Sequence, residues 1–285
     1  MRIALYPNRG RDHEFEITKR LAQYIEAYGA QAVIEEGVAP DLSCNVPIER
    51  ASYASCDVMI VLGGDGTFLS AAHLVSARNI PKTGVNLGSV GFLLEAEPDQ
   101  IEDVVRKLVN KDYRIELRPL LASYHVRSDG VSQDVEFALN DVVLARGNIA
   151  KTITIELSID GETVDHIPGD GIIVATPTGS TAYSLAVGGP ILEPSLDAIL
   201  VSAICPHTLH DRSFVLGADT EIRLALLSED EEAYLTVDGR ASCAVEKGDS
   251  VTVRTAPHKL PMIKLWEDAF FKNLPVKIQK RGVSR

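Results

Sequence analysis

Apolar positions in the first third of the chain switch between two periods. Residues 3–6, 31–34 and 58–62 are short, mostly apolar stretches of strand length, and residues 83–87 read as a fourth strand. Between the first two, Phe15, Ile17, Leu21 and Ile25 fall on one helical face of residues 14–28, and Gly29 ends that helix. A second helix is expected over about residues 99–109, behind Pro98, a residue suited to a first turn. Strands alternating with helices imply a parallel sheet, with any ligand at the carboxyl ends of its strands.

Beyond Tyr113 the texture changes. Residues 120–127, 135–144, 152–159, 172–176, 196–204, 221–227 and 251–255 read as strands, several alternating apolar with polar positions. Ser128-Asp129-Gly130 and Asp160-Gly161 supply turns, and long helical periods are scarce. The expected fold class is therefore an α/β N-terminal domain over residues 1–115, a parallel sheet with helices, followed by an all-β C-terminal domain over residues 116–258. No internal repeat or low-complexity linker interrupts the chain, and the closing KIQKRGVSR reads as a solvated basic tail.

Two segments carry candidate chemistry. In VMIVLGGDGTFL (residues 58–69) a buried strand runs into Gly63, Gly64, Asp65 and Gly66, and a helix-compatible segment follows. Three glycines allow positive φ and close approach to a ligand, and Thr67 is the expected N-cap. Free N–H groups would then favour an anion, yet the turn also holds the carboxylate Asp65, which suits that corner only by taking a proton or holding a metal. A P-loop would need Lys-Ser/Thr where Phe68 and Leu69 stand, and a G-x-G-x-x-G fingerprint meets Leu69 in place of its third glycine. A strand-to-helix turn with a surface aspartate is the plain alternative.

The second segment, DGIIVATPTGSTAYSLAVGGP, spans residues 170–190. Thr176, Thr178, Ser180 and Thr181 with Pro177 and Gly179 make a rigid turn rich in hydroxyls, suited to ribose, base edges or phosphate. Ala182 offers a small apolar contact and Tyr183 an aromatic face for a planar base. The competing reading has the hydroxyls capping a helix near Thr181, with Tyr183 in the core.

GGDGTF and DGIIVATPTGSTAYS together closely resemble the NAD kinases, enzymes that phosphorylate the adenosine 2′-hydroxyl of NAD to make NADP. NLGSVGFL from Asn86, LND from Leu139 and VDG from Val237 extend the match. GGDGT alone is shared with lipid kinases and, loosely, phosphofructokinases, so it marks the GGDGT kinase superfamily and not the substrate. The resemblance implies Asp65 as general base, with Gly63, Gly64, Gly66 and Thr67 beside the ligand. It implies NAD contacts from Asn140, Asp141 and Asp170, and from Thr178, Thr181, Ala182, Tyr183, Ser184, Leu185 and Ala186. Lys151 stands where relatives carry a phosphate-binding cation, and Arg240 follows VDG where many members have Gln. Asp141 replaces the family's usual Glu, Ala186 a Ser of some members, and Pro168 an Arg or Lys of others. The tail over residues 259–285, with apolar Trp266, Phe270 and Phe271, is expected to return to the first domain. A homodimer or homotetramer is implied as well.

Composition narrows the partners. The net charge is −12, with 28 basic and 40 acidic residues, which argues against nonspecific nucleic-acid binding. An acidic chain without a P-loop lysine must neutralise a nucleoside triphosphate with backbone N–H groups, a few placed cations and Mg²⁺ or another divalent cation. The phosphoryl donor is open between ATP, another triphosphate and polyphosphate. Cys44, Cys56, Cys205 and Cys243 lie far apart without a C-x-x-C pair, and no apolar run nears membrane-spanning length. A cytoplasmic protein with reduced thiols is expected, without signal peptide or span. His207 and His210 lack neighbours at ligand spacing, so no protein-built metal site is expected. Two other readings remain: a lipid or sugar kinase sharing the glycine turn, and a dinucleotide-binding sensor without turnover.

Overall fold

The computed structural model describes residues 1–42, 47–88, 91–131, 135–148, 151–208, 212–228, 232–267 and 270–283. Its first sheet grows from the apolar runs of the N-terminal third. Strands β1 (Arg2–Pro7), β2 (Gln31–Ile34), β3 (Ile48–Arg50), β4 (Val58–Gly63) and β5 (Lys82–Asn86) run parallel in the order β3-β2-β1-β4-β5. All six residues of β4 are buried, as a central strand covered on both faces requires. Helix α1 (Glu16–Ala27) contributes Leu21 and Ile25, and α3 (Ile101–Val109) contributes Val104, Val105 and Leu108, to one core with Ile3, Leu5, Ile60 and Leu62. The short helix α2 (Asp65–Ala72) follows β4 directly.

Strand order reverses between β1 and β4, since the chain moves outward from β1 to β2 and β3, then back across to β4 and β5. In open parallel sheets the crevice beyond the carboxyl ends of such a pair takes the ligand. Here those ends carry Pro7-Asn8-Arg9-Gly10-Arg11 and the Gly63–Gly66 turn.

In the first sheet three strands were not legible from periodicity, and farther along the chain Glu162–Gly169, Phe214–Gly217, Ala233–Val237 and Arg240–Val245 were likewise not foreseen. β3 is an edge of three residues with Glu49 and Arg50 exposed, too short and polar for a pattern. Leu260–Lys264 pairs parallel with β5, and Arg114–Arg118 lies beyond it as the outer strand of the same sheet. The chain thus divides into two units, one of Met1–Leu117 with Leu260–Arg285, the other of Arg118–Lys259. The basic end is not an irregular tail, since its residues as far as Val283 belong to the helix Phe270–Val283. Lys277 in that helix sits 5.5 Å from the centroid of the Phe92 ring.

The second unit is antiparallel throughout. One of its sheets includes Leu121–Val126, Ile153–Ile159, Ile222–Leu226 and Ser250–Thr255. The other includes Asp141–Arg146, Gly171–Ala175, Ala198–Ile204, Ala233–Val237 and Arg240–Val245. Inward residues of both, among them Leu157, Leu224, Val253, Leu144, Val174 and Leu235, share one core. The run expected over residues 135–144 breaks into Glu136–Ala138 and a strand from Asp141, with Asn140 at the break. Asp160-Gly161 makes its hairpin turn with positive φ at both residues, and Asp238-Gly239 does the same where no turn was foreseen. Among the described residues, no helix is long and apolar enough to cross a membrane.

Candidate active site

In the first unit a cleft of about 800 Å³ opens at the strand reversal, lined by Asn8, Arg9, Arg11, Asp65, Gly66 and Thr67 among others. Gly64, not Thr67, is the N-cap of α2. Thr67 sits three residues into the helix and turns its Oγ1 back toward the Gly64 N–H at 3.4 Å, while Asn8 Nδ2 donates to the same oxygen at 2.8 Å. That inward hydroxyl explains Gly63: a Cβ there would lie 2.4 Å from Thr67 Oγ1. None of Gly63, Gly64 and Gly66 adopts positive φ, so close packing, not backbone hand, requires glycine at Gly63. At Gly66 a Cβ would meet nothing within 4 Å, which leaves that face open for a ligand.

Asp65 is fixed in place. Its Oδ2 accepts the backbone N–H of Phe92 at 2.9 Å and its Oδ1 that of Leu93 at 3.0 Å. Gly91 permits this, since a Cβ on Gly91 would stand 2.3 Å from Oδ1. NLGSVGFL thus supplies the seat of the carboxylate, a role its apolar letters do not announce; Ser89 and Val90 lie outside the described residues. Each oxygen keeps a further lone pair for a substrate hydroxyl.

Cations gather around this carboxylate that sequence reasoning did not single out. The Arg11 guanidinium lies against the backbone of Gly88 and Gly64, where a Cβ on Gly88 would overlap its Nη1. Arg9 pairs with Asp41. Burial holds the Lys277 ammonium below the ordinary lysine value, and the Asp65 charge partly restores it. Arg-x-Arg directly after the first strand was the available signal for the two arginines.

In the second unit the hydroxyl-rich loop is bound to the 139–141 turn. Thr176 donates from its backbone N–H to Asn140 O at 2.9 Å and from Oγ1 to Leu139 O at 2.5 Å. A Cβ on Gly179 would come 2.0 Å from Asn140 O. Asp238 completes the lock: Oδ2 accepts the N–H of Leu139 at 2.8 Å, and Oδ1 those of Asn140 at 2.7 Å and Asp141 at 3.1 Å. The VDG match matters here through Asp238, whereas Arg240 is an exposed residue beginning the next strand.

The loop does not present its hydroxyls as a donor-lined surface. Thr176, Thr178, Ser180, Thr181 and Ser184 are all buried. Ser180 Oγ donates to Pro177 O at 2.7 Å, Thr181 Oγ1 to Thr178 O at 3.3 Å, and Ser184 Oγ meets Ser202 Oγ at 3.2 Å. They hold the turn rigid, because a buried hydroxyl without a partner is costly. Tyr183 is 44% exposed and opens a short helix, Tyr183–Ala186, so it is no core residue and its ring is free for stacking. Leu185 and Ala186 follow on that helix, and Ala182 precedes it.

Burial, with the Asp238 charge beside it, raises the Asp141 carboxyl to about 7, while a backbone N–H from Tyr183 pulls the other way. Asp141, Asn140 and the Tyr183 segment are thereby brought together. Asp170 is held by Arg146, with Nε to Oδ1 at 2.8 Å and Nη2 to Oδ2 at 3.2 Å. Lys151 is exposed just before a strand, and His207 is exposed on a loop. His210 lies outside the described residues. No three His, Cys, Asp or Glu side chains converge on a metal-sized point among the described residues.

Two family models match. The ATP-NAD kinase N-terminal domain covers residues 8–113, and the ATP-NAD kinase C-terminal domain residues 139–265. An NAD kinase from Acetivibrio thermocellus is 38% identical over 288 aligned residues, with 100% of this chain and 99% of the relative covered. One from Heliobacterium modesticaldum is 38% identical, covering 98% of each. Among solved structures, an NAD kinase from Archaeoglobus fulgidus in complex with ATP has a TM-score of 0.77 at 26% identity, covering 98% of this chain and 99% of that one. Yeast NADH kinase complexed with NADH reaches a TM-score of 0.89 over 100% of this chain and 89% of that one, and at 24% identity this speaks for the fold. Both halves of the family, matched in order along one chain with the glycine turn and the hydroxyl-rich loop inside them, lead to one conclusion: the chain belongs to the NAD kinase family.

Proposed function

We propose that the protein is an NAD kinase that transfers the γ-phosphate of ATP to the 2′-hydroxyl of the adenosine ribose of NAD, giving NADP. The observation that carries this reading is Asp65, a carboxylate fixed by two backbone N–H groups in a cleft that also holds Arg11. Transfer to a hydroxyl needs an acceptor for its proton, neutralised phosphate charge and an in-line approach. Asp65 takes the proton. Arg11, with the N-terminal end of α2, meets the triphosphate, and the open face at Gly66 admits it. Asn140, Asp141 and Asp170 hold the dinucleotide through hydroxyl and amide contacts, Tyr183 stacks on its base, and Lys151 and Arg240 add positive charge.

Among the described residues the cleft has no acidic cage for Mg²⁺: Asp65 is the only lining carboxylate there and already accepts two N–H groups. Mg²⁺ belongs to the proposal as the companion of the triphosphate, where it screens phosphate charge. The enzyme is proposed to work in the cytoplasm as a homodimer or homotetramer, a reading supported by Cys56, Cys205 and Cys243 standing outside any disulfide and by the family.

Purified protein given NAD, ATP and Mg²⁺ should yield NADP, followed with an NADP-dependent dehydrogenase. Calorimetric binding of NAD without any NADP formed would leave a sensor and remove the enzyme. Arg11→Ala should raise KM for ATP roughly tenfold, as expected for one charge-assisted phosphate contact of about 1.5 kcal/mol, with KM for NAD little changed. If KM for NAD rises instead, Arg11 serves the other substrate.

Asp141 gives a pH signature. Its carboxyl is raised to about 7, so at lower pH it is protonated and loses acceptor capacity. NAD affinity should therefore improve as pH rises through about 7, and Asp141→Asn should flatten that dependence. Calorimetry at pH 6 and pH 8 on both proteins is the check, and an identical slope in the variant would assign the titration elsewhere.

A further inference from the structure

Away from the residues assigned to phosphoryl transfer, the β unit holds three side chains in line. His125, on Leu121–Val126 of one sheet, places Nε2 2.9 Å from Asp249 Oδ2. Its other ring nitrogen, Nδ1, lies 3.4 Å from the Sγ of Cys243, on Arg240–Val245 of the opposite sheet. Cys243 pairs across its hairpin with the buried Leu235, so the thiol faces the sandwich interior while the residue remains partly exposed.

The order of these groups decides what they can do. Asp249 is fixed, with Oδ1 accepting the Ser128 N–H at 2.9 Å and Oδ2 that of Glu246 at 3.1 Å. Burial alone would raise its carboxyl, but these N–H groups and His125 outweigh that and hold it below the ordinary value. An ionised Asp249 keeps the proton on Nε2 and leaves Nδ1 bare toward the sulfur. The thiol proton can then pass to Nδ1, giving a thiolate beside an imidazolium that Asp249 stabilises. The imidazole stands between sulfur and carboxylate, so the three cannot share a metal ion, in keeping with the absence of any metal-binding group among the described residues. Cys56 shows the contrasting case, where burial pushes the thiol up.

We infer that Cys243 is a reactive thiol, activated by His125 and Asp249, and that it is a modification site for small hydroperoxides. The thiolate sulfur attacks the terminal peroxide oxygen. An S–O bond forms as the O–O bond breaks, and the departing oxyanion takes the proton from the His125 imidazolium. Sulfur is oxidised to sulfenic acid and the hydroperoxide is reduced to water or an alcohol.

Full-length protein exposed to equimolar hydrogen peroxide with dimedone, which traps sulfenic acid, can be digested and mapped by mass spectrometry. Cys243 should be labelled roughly tenfold faster than the exposed Cys205, the gain expected when a thiol moves from mostly protonated to mostly thiolate. His125→Gln should bring Cys243 down to the Cys205 rate or below. Equal labelling of Cys243 and Cys205 in the wild type overturns the inference, and that comparison needs no variant to fold. An unchanged Cys243 rate in His125→Gln, or in Asp249→Asn, with native circular dichroism overturns it as well.

Discussion

Asp65→Asn should lower kcat by ~10²–10⁴-fold, the range typical of a lost general base, while NAD still binds. The amide retains the size of the carboxylate but offers a single acceptor oxygen. The N–H groups of Phe92 and Leu93 each hold one carboxylate oxygen, so one of them must face the new NH₂ group. Leaving a backbone donor unsatisfied costs about 1–3 kcal/mol, so a modest fall in melting temperature should accompany the kinetic loss. The two effects are separable. A structural role alone would lower stability and leave turnover per folded molecule intact, whereas the proposed base predicts a collapse of kcat with native NAD affinity by calorimetry. Near-normal kcat would take Asp65 out of the chemistry.

Gly179→Ala should weaken NAD binding markedly without touching any residue of the cleft around Asp65. The added Cβ would fall 2.0 Å from Asn140 O and 2.5 Å from its carbonyl carbon. Both are backbone atoms, so no rotamer change relieves the overlap, and the loop must part from the 139–141 turn. Overpacking of this kind costs about 1–3 kcal/mol, which corresponds to a roughly 10- to 100-fold weaker complex if the strain falls on the binding loop. Titration calorimetry with NAD reads it directly. Wild-type affinity in a folded Gly179→Ala would mean that the Thr176 anchors to Leu139 and Asn140 do not shape the NAD site.

These two positions also show what a sequence carries and where it stops. The parallel sheet was legible because β1, β2 and β4 are largely apolar runs bounded by polar or glycine residues, and the turn that holds Asp65 was legible from its glycines. Gly179 stood out as a turn residue, but its reason, the passing Asn140 carbonyl, is a tertiary fact. Thr67 looked like an N-cap by residue type, yet Gly64 took the position because Thr67 Oγ1 was needed behind it. The loop hydroxyls misled in a similar way, since their density suggested a surface and burial turned them into internal struts. Arg11, Gly91 and Asp238 were missed as site-builders because each acts on a partner distant in the chain, and periodicity is blind beyond its own window. The strand at Leu260–Lys264 escaped for a simpler reason: five residues after Pro257 and His258 show no alternation of their own.

That late strand has a consequence for biosynthesis. It hydrogen-bonds to β5, so the first sheet needs a piece that leaves the ribosome only after the whole sandwich has been made. Until residue 264 emerges, β5 presents a bare edge, the kind of surface that recruits stray strands. The polypeptide therefore cannot complete its modules in order of appearance, and its earliest segments must wait, exposed, for nearly the last.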